Sequence, residues 1–139
     1  MKSLLGKLGV ILIGLAIFGY GEVWGADWKL YFVHEIILNY YDAQSITRPS
    51  KNIVRVWTRS NYTEKGVIDI VGRLGKKYEN LSDSTTLWEI NCLEKKCRFL
   101  SIAYHNNKGE PISFFGSPSE WDFIIPETMA EILYKEICK

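Results

Sequence analysis

A chain of 139 residues that is 47% hydrophobic and 14% aromatic has the material for one core and is too apolar to remain disordered. Its formal net charge of +1 argues against nucleic acid as a partner, because that role needs a strong basic excess. The charges are unevenly placed: residues 48–77 concentrate basic side chains and residues 110–136 acidic ones.

The N-terminus has the build of a secretory signal peptide. Lys2 and Lys7 accompany an apolar run over residues 8–18, and Val23-Trp24-Gly25-Ala26 follows. Cleavage after Gly25 leaves Val23 and Gly25 at the two positions that need small side chains. Cleavage after Ala26 would put Trp24 at one of them. The competing reading is an uncleaved anchor. That needs roughly 20 apolar residues, and this run is shorter and broken by glycines. Residues 1–25 are therefore expected to be removed and residues 26–139 to form one exported domain. Without Lys2, Lys7 and Glu22 that domain holds equal numbers of basic and acidic side chains. No cysteine lies just after the apolar run, so no lipid anchor is expected. No later stretch is long and apolar enough to span a membrane. The expected destination is the periplasm or the outer surface.

Residues 28–33 alternate large apolar and polar side chains and predict a first strand; residues 36–41 predict a second. Residues 42–45 read as a turn or cap and residues 47–52 as a loop. Residues 53–62 are the longest strand signal. One face, Val54, Val56, Thr58, Ser60 and Tyr62, is the core candidate. The other, Ile53, Arg55, Trp57, Arg59 and Asn61, sets a tryptophan between two arginines and points to solvent.

The period then changes. Val67, Ile70, Val71 and Leu74 have the spacing of an amphipathic helix, with Gly75 where such a helix stops. Arg73, Lys76 and Lys77 gather at its C-terminal end, where the helix dipole favours positive charge. Residues 85–92 and 97–104 predict two strands around a turn at 93–96. Residues 106–109 are a turn signal, and 112–115 a last strand. Ser117-Pro118-Ser119 ends the sheet region. Pro126 opens a C-terminal helix with Met129, Ile132, Leu133 and Ile137 as its stripe. The predicted fold is α+β: a sheet of about six mainly antiparallel strands, with a short inserted helix and a C-terminal helix packed on it.

The chain spells out no reaction. His34 and His105 lie near a strand end and a turn and read as exposed loop histidines, and no His-x-x-x-His or Cys-x-x-Cys spacing suggests zinc. Ser60, Ser101 and Ser113 lack a nucleophile-elbow context. Glu120 and Asp122 flank Trp121 in what reads as a helix approach, without further signs of paired-carboxylate catalysis. No glycine-rich phosphate loop is present. Neither catalytic residue nor cofactor is expected.

Three cysteines, Cys92, Cys97 and Cys138, fall in the exported part, so two should pair and one should be left over. If Glu94-Lys95 is a two-residue turn, Cys92 opposes Cys97 and both thiols point to one face. A helix packed on that face brings Cys138 to the same place. Cys92–Cys97 and Cys92–Cys138 are both open on this reading.

Tyr40-Tyr41-Asp42, Val54-Arg55-Val56-Trp57, Tyr78-Glu79, Trp88-Glu89-Ile90-Asn91-Cys92, Ile125-Pro126-Glu127 and Cys138 follow in an order and spacing that resembles the surface-adhesin protein E family. The resemblance covers residues 28–139. It implies an antiparallel sheet whose C-terminal helix is tied down by Cys92 and Cys138, and an envelope location in a Gram-negative bacterium. It also implies binding to matrix glycoproteins such as vitronectin and laminin. Two departures stand out: adhesive relatives are lipoproteins, and Cys97 stands where relatives are expected to carry an aromatic residue.

The resulting expectation is a non-enzymatic binding module. Its contact surface would be Arg55, Trp57, Arg59, Tyr62, Arg73, Lys76 and Lys77, and its partner a protein or an anionic envelope or matrix ligand. Arg55 and Arg59 are read as exposed charges, so that reversing both would leave the fold nearly intact. The alternative is a small periplasmic haem- or metal-binding carrier or an enzyme, which would show a deep pocket joining His34 or His105 to a carboxylate.

Overall fold

Residues 26–139 are described by a computed structural model; the expected signal peptide, residues 1–25, lies outside them. The strands are β1 (Trp28–His34), β2 (Ile37–Asp42), β3 (Thr47–Ser50), β4 (Ile53–Tyr62), β5 (Leu81–Asn91), β6 (Lys96–Asn106), β7 (Pro111–Phe115) and β8 (Asp122–Phe123). The helices are α1 (Glu64–Leu74) and α2 (Met129–Ile137), with single 3-10 turns at Ala43–Ser45 and Lys76–Tyr78. The strands form one sheet in the order β8-β6-β5-β4-β2-β1, with β3 also beside β4 and β7 also beside β6. Every pairing is antiparallel.

The period-2 pattern of β4 decides which face is covered. Val54, Val56 and Thr58 are buried, and they pair with Ile90, Trp88 and Thr86 of β5 on the same face. α2 lies over one end of this face. Leu133 and Ile137 join Tyr41, Val54, Val56, Ile90 and Ile124 in the main core. α1 lies over the other end, where Ile70, Tyr78 and Leu81 form a second core with Tyr62, Val67 and Tyr104 around them. A buried polar strip runs between the two. Trp88 donates its indole N–H to Thr58 Oγ1 at 3.0 Å, and Ser60 donates to Asn39 Oδ1. Buried side chains without such partners would destabilise the sheet by the full cost of their desolvation.

Both helices start on threonine caps. Thr63 Oγ1 accepts from Gly66 N at 3.2 Å, and Thr128 Oγ1 from Glu131 N at 3.3 Å. α2 therefore begins at Met129, and Pro126 lies in the turn before it rather than in its first turn. Gly66 is required by contact: a Cβ there would run into the backbone carbonyl of Ile36. Gly75 closes α1 at φ 113°.

The expected loop at 47–52 contains β3, and the segment after Ser117-Pro118-Ser119, expected to lie outside the sheet, returns to it as β8. Asp122 is thus on a strand and not on a helix approach. Both strands are short, and β3 is exposed throughout and carries Pro49, so neither shows alternating burial. The hairpin turn also differs from expectation. Asn91 pairs with Lys96 and Ile90 with Cys97, which puts Cys92 inside a four-residue turn and not opposite Cys97. Asn91 sets this turn by accepting from Lys95 N at its carbonyl (2.8 Å) and from Glu94 N at its side chain (2.9 Å).

Cys92 is bonded to Cys138, with Cα atoms 5.7 Å apart and a sequence separation of 46. Cys97 is a half-buried free thiol, and burial followed by the nearby Asp122 charge pushes its pKa above the ordinary cysteine value.

Candidate binding surface

The opposite face of the sheet carries no helix among the described residues. It presents Arg55, Trp57 and Arg59 from β4, Asp83, Thr85, Leu87 and Glu89 from β5, and Arg98, Ser101, Ala103 and His105 from β6, aligned in cross-strand rows. The central row is Trp57–Leu87–Ser101. Trp57 is 38% exposed.

An ion ladder lies on each side of that row. On one, Glu89 is only 4% exposed and its two carboxylate oxygens serve different arginines. Arg55 donates to Oε2 at 2.6 and 3.1 Å, and Arg98 donates to Oε1 at 2.9 and 3.0 Å. Burial raises the Glu89 pKa, but the hydrogen bonds and charges of the two arginines outweigh it and hold the carboxyl below the usual glutamate value. The guanidinium of Arg98 lies 4.6 Å from the Trp121 ring centre.

On the other side, Asp83 is 9% exposed and faces Arg59 Nε at 3.5 Å and His105 Nδ1 at 3.7 Å. Neither nitrogen completes a hydrogen bond among the described residues. Arg59 also lies over the Trp28 ring, 5.9 Å from its centre. Beside this group the face sinks into an open concavity of about 500 Å³, lined in part by Trp28, Asp42, Trp57, Arg59, Asp83 and His105.

The seven residues expected to form one contact surface therefore separate. Arg55, Trp57 and Arg59 share the helix-free face. Tyr62 is on the other face, under α1, with its hydroxyl 2.9 Å from Ser84 Oγ and its pKa pushed up to about 12 chiefly by burial. Arg73 is on α1 and bonded to Asp69 at 3.0 Å. Lys76 and Lys77 occupy the 3-10 turn after it, with Lys77 5.4 Å from the Tyr78 ring centre.

The two arginines are also not free charges. Each sits about half exposed against a buried carboxylate, so reversing them would set like charges together rather than leave the fold untouched. Glu89, Asp83, Arg98 and Trp28 were not singled out from sequence. The available signal was the one-face spacing of Asp83, Thr85, Leu87 and Glu89. It puts charge on the strand face that the core-forming residues leave free.

His34 ends β1 in an exposed position, as expected. His105 departs from expectation: it is a half-buried residue of β6 beside a carboxylate. Among the described residues, no three His, Cys, Asp or Glu side chains are grouped as a metal ion would require. No helix there is long and apolar enough to cross a membrane.

The family model described as Surface-adhesin protein E matches residues 28–139. No curated protein and no solved structure matches the chain. The matched span takes in the eight strands and two helices of the described residues and the Cys92–Cys138 bond. The chain belongs to the surface-adhesin protein E family.

Proposed function

We propose that this protein is an exported, non-enzymatic binding module of adhesion type, and that it meets its partner through the helix-free face around Trp57. The supporting observation is the position of Trp57: a large, partly exposed aromatic at the centre of a sheet face that no helix of the described residues covers. Aromatic side chains so placed, ringed by polar neighbours, carry most of the energy in protein interfaces.

The ladders refine the class of partner. Arg55 and Arg98 share Glu89, and Arg59 faces Asp83, so the face offers little unpaired positive charge. A protein of the envelope or matrix fits this surface better than an anionic polymer, whose binding would need free cations and would weaken steeply with salt.

The test is solid-phase binding to immobilised vitronectin and laminin. Trp57→Ala should weaken binding by at least about tenfold. Lys76→Ala/Lys77→Ala, on the other side of the molecule, should change it less than about twofold. The reverse order would overturn the assignment of the face, and absence of wild-type binding to either glycoprotein would count against the adhesion reading.

A further inference from the structure

We infer that the concavity beside Trp57 is a subsite for an uncharged saccharide unit. This rests on the reading of the helix-free face as the contact surface and names the chemistry one part of it takes.

The concavity measures about 500 Å³, within the roughly 300–1,000 Å³ range of small-ligand sites. Its charge argues against an anion. Asp42 and Asp83 supply two carboxylates against the Arg59 guanidinium and the α-amino group that cleavage after Gly25 would bring to Ala26, so no positive charge is in surplus. A simple cation fits poorly as well. The cation position over Trp28 is already held by Arg59 of the same chain. Asp42 Oδ1 is committed to the backbone N–H groups of Asp27 at 2.8 Å and Gln44 at 3.0 Å.

What remains is a combination: indole surfaces from Trp28 and Trp57 beside a mixed set of donors and acceptors. The Arg59 side chain makes no hydrogen bond among the described residues, so the guanidinium donors on its exposed side remain available. The Thr85 hydroxyl can both donate and accept. Asp42 keeps a second carboxylate oxygen. A pyranose ring has matching chemistry. Its C–H face packs on an aromatic plane, and its rim of hydroxyls both donates and accepts without adding charge. The floor is also rigid: Arg59, Thr85, Asp83 and His105 stand on three adjacent central strands, so little order has to be gained on binding.

The experiment is a titration of the purified, isotope-labelled protein with lactose, cellobiose and di-N-acetylchitobiose, followed through the tryptophan indole N–H signals. At least one of these sugars should give saturable shifts at Trp28 and Trp57. The affinity should be unchanged between about 50 and 500 mM NaCl, because no ion pair is formed. Trp57→Ala should weaken it by at least about tenfold. Thr85→Val, which keeps the shape of a strand residue, should weaken it by about threefold through loss of one hydroxyl. Lys76→Ala/Lys77→Ala should leave it unchanged.

Absence of saturable shifts with all three sugars overturns the proposal. So does binding of only a sulfated disaccharide from heparin that fades with salt. Failure here separates from failure of the wider reading. If wild-type protein binds vitronectin or laminin through Trp57 but the sugars neither shift the indoles nor compete, the face stands and the saccharide subsite falls.

Discussion

Glu89 is the residue whose environment has the clearest consequence for stability. It is almost fully buried on the helix-free side of β5 and is neutralised by Arg55 and Arg98 from the strands on either side. Its folded pKa lies below the ordinary glutamate value of about 4.3. The ionised form therefore contributes stability that is complete above that ordinary value and is lost as pH falls through the folded one. Glu89→Gln keeps the size of the side chain but not the charge, and should cost about 1–3 kcal/mol at neutral pH. Its thermal midpoint should also fall less than that of the wild type as the pH is lowered from about 7 to about 2. Parallel midpoint-against-pH curves for the two proteins would show that the ladder contributes nothing. Half of this ladder was legible in sequence. The alternation of residues 53–62 placed Arg55 and Arg59 on the solvent side, and the structure agrees. Their partners were hidden because Glu89 and Asp83 are more than 20 residues away. Which carboxylate faces which arginine depends on strand register, which no local pattern reveals.

At the level of elements, α2 shows how a short helix is held. It spans nine residues, a length that is marginal for an isolated helix. Leu133 and Ile137 bury its apolar stripe, and the Cys92–Cys138 bond closes its C-terminal end onto the β5–β6 turn. Tyr134 donates its hydroxyl to the Cys92 carbonyl at 3.3 Å across the same contact. Removing the bond by Cys138→Ser should cost about 2–5 kcal/mol. The comparison belongs in a Cys97→Ser background, because Cys97 could otherwise take up the freed Cys92. Cys97→Ser alone should cost much less, since that thiol is only half buried and unpaired. Denaturant titration of the single and double variants measures both terms, and equal costs would mean that the bond does not brace the helix. α1 and its glycine stop were readable from periodicity, and the long strands from alternation. The disulfide was not: spacing left two pairings open, and only the family resemblance favoured Cys138. The assumed two-residue turn failed because Asn91 organises a longer one, with Lys95 at positive φ. β3 and β8 were missed because exposed edge pieces of four and two residues are made by pairing, not by side-chain pattern.

For the whole molecule, the two helices of the described residues divide the sheet into a covered face that stabilises it and an open face, the one proposed above as the contact surface. The chain enters this arrangement at its N-terminus. Asp27 is fixed from both sides: its N–H donates to Asp42 Oδ1 at 2.8 Å, and its carbonyl accepts from Ala43 N at 2.9 Å. Ala26 borders the concavity on the open face. Cleavage after Gly25 would therefore leave a single residue ahead of the first anchored one and bring a new α-amino group to the rim of the binding surface. Intact-mass and N-terminal sequence measurements on the native protein should give a chain beginning at Ala26 or Asp27, with no added lipid mass. A chain that retains Met1 in the membrane fraction would overturn the export prediction.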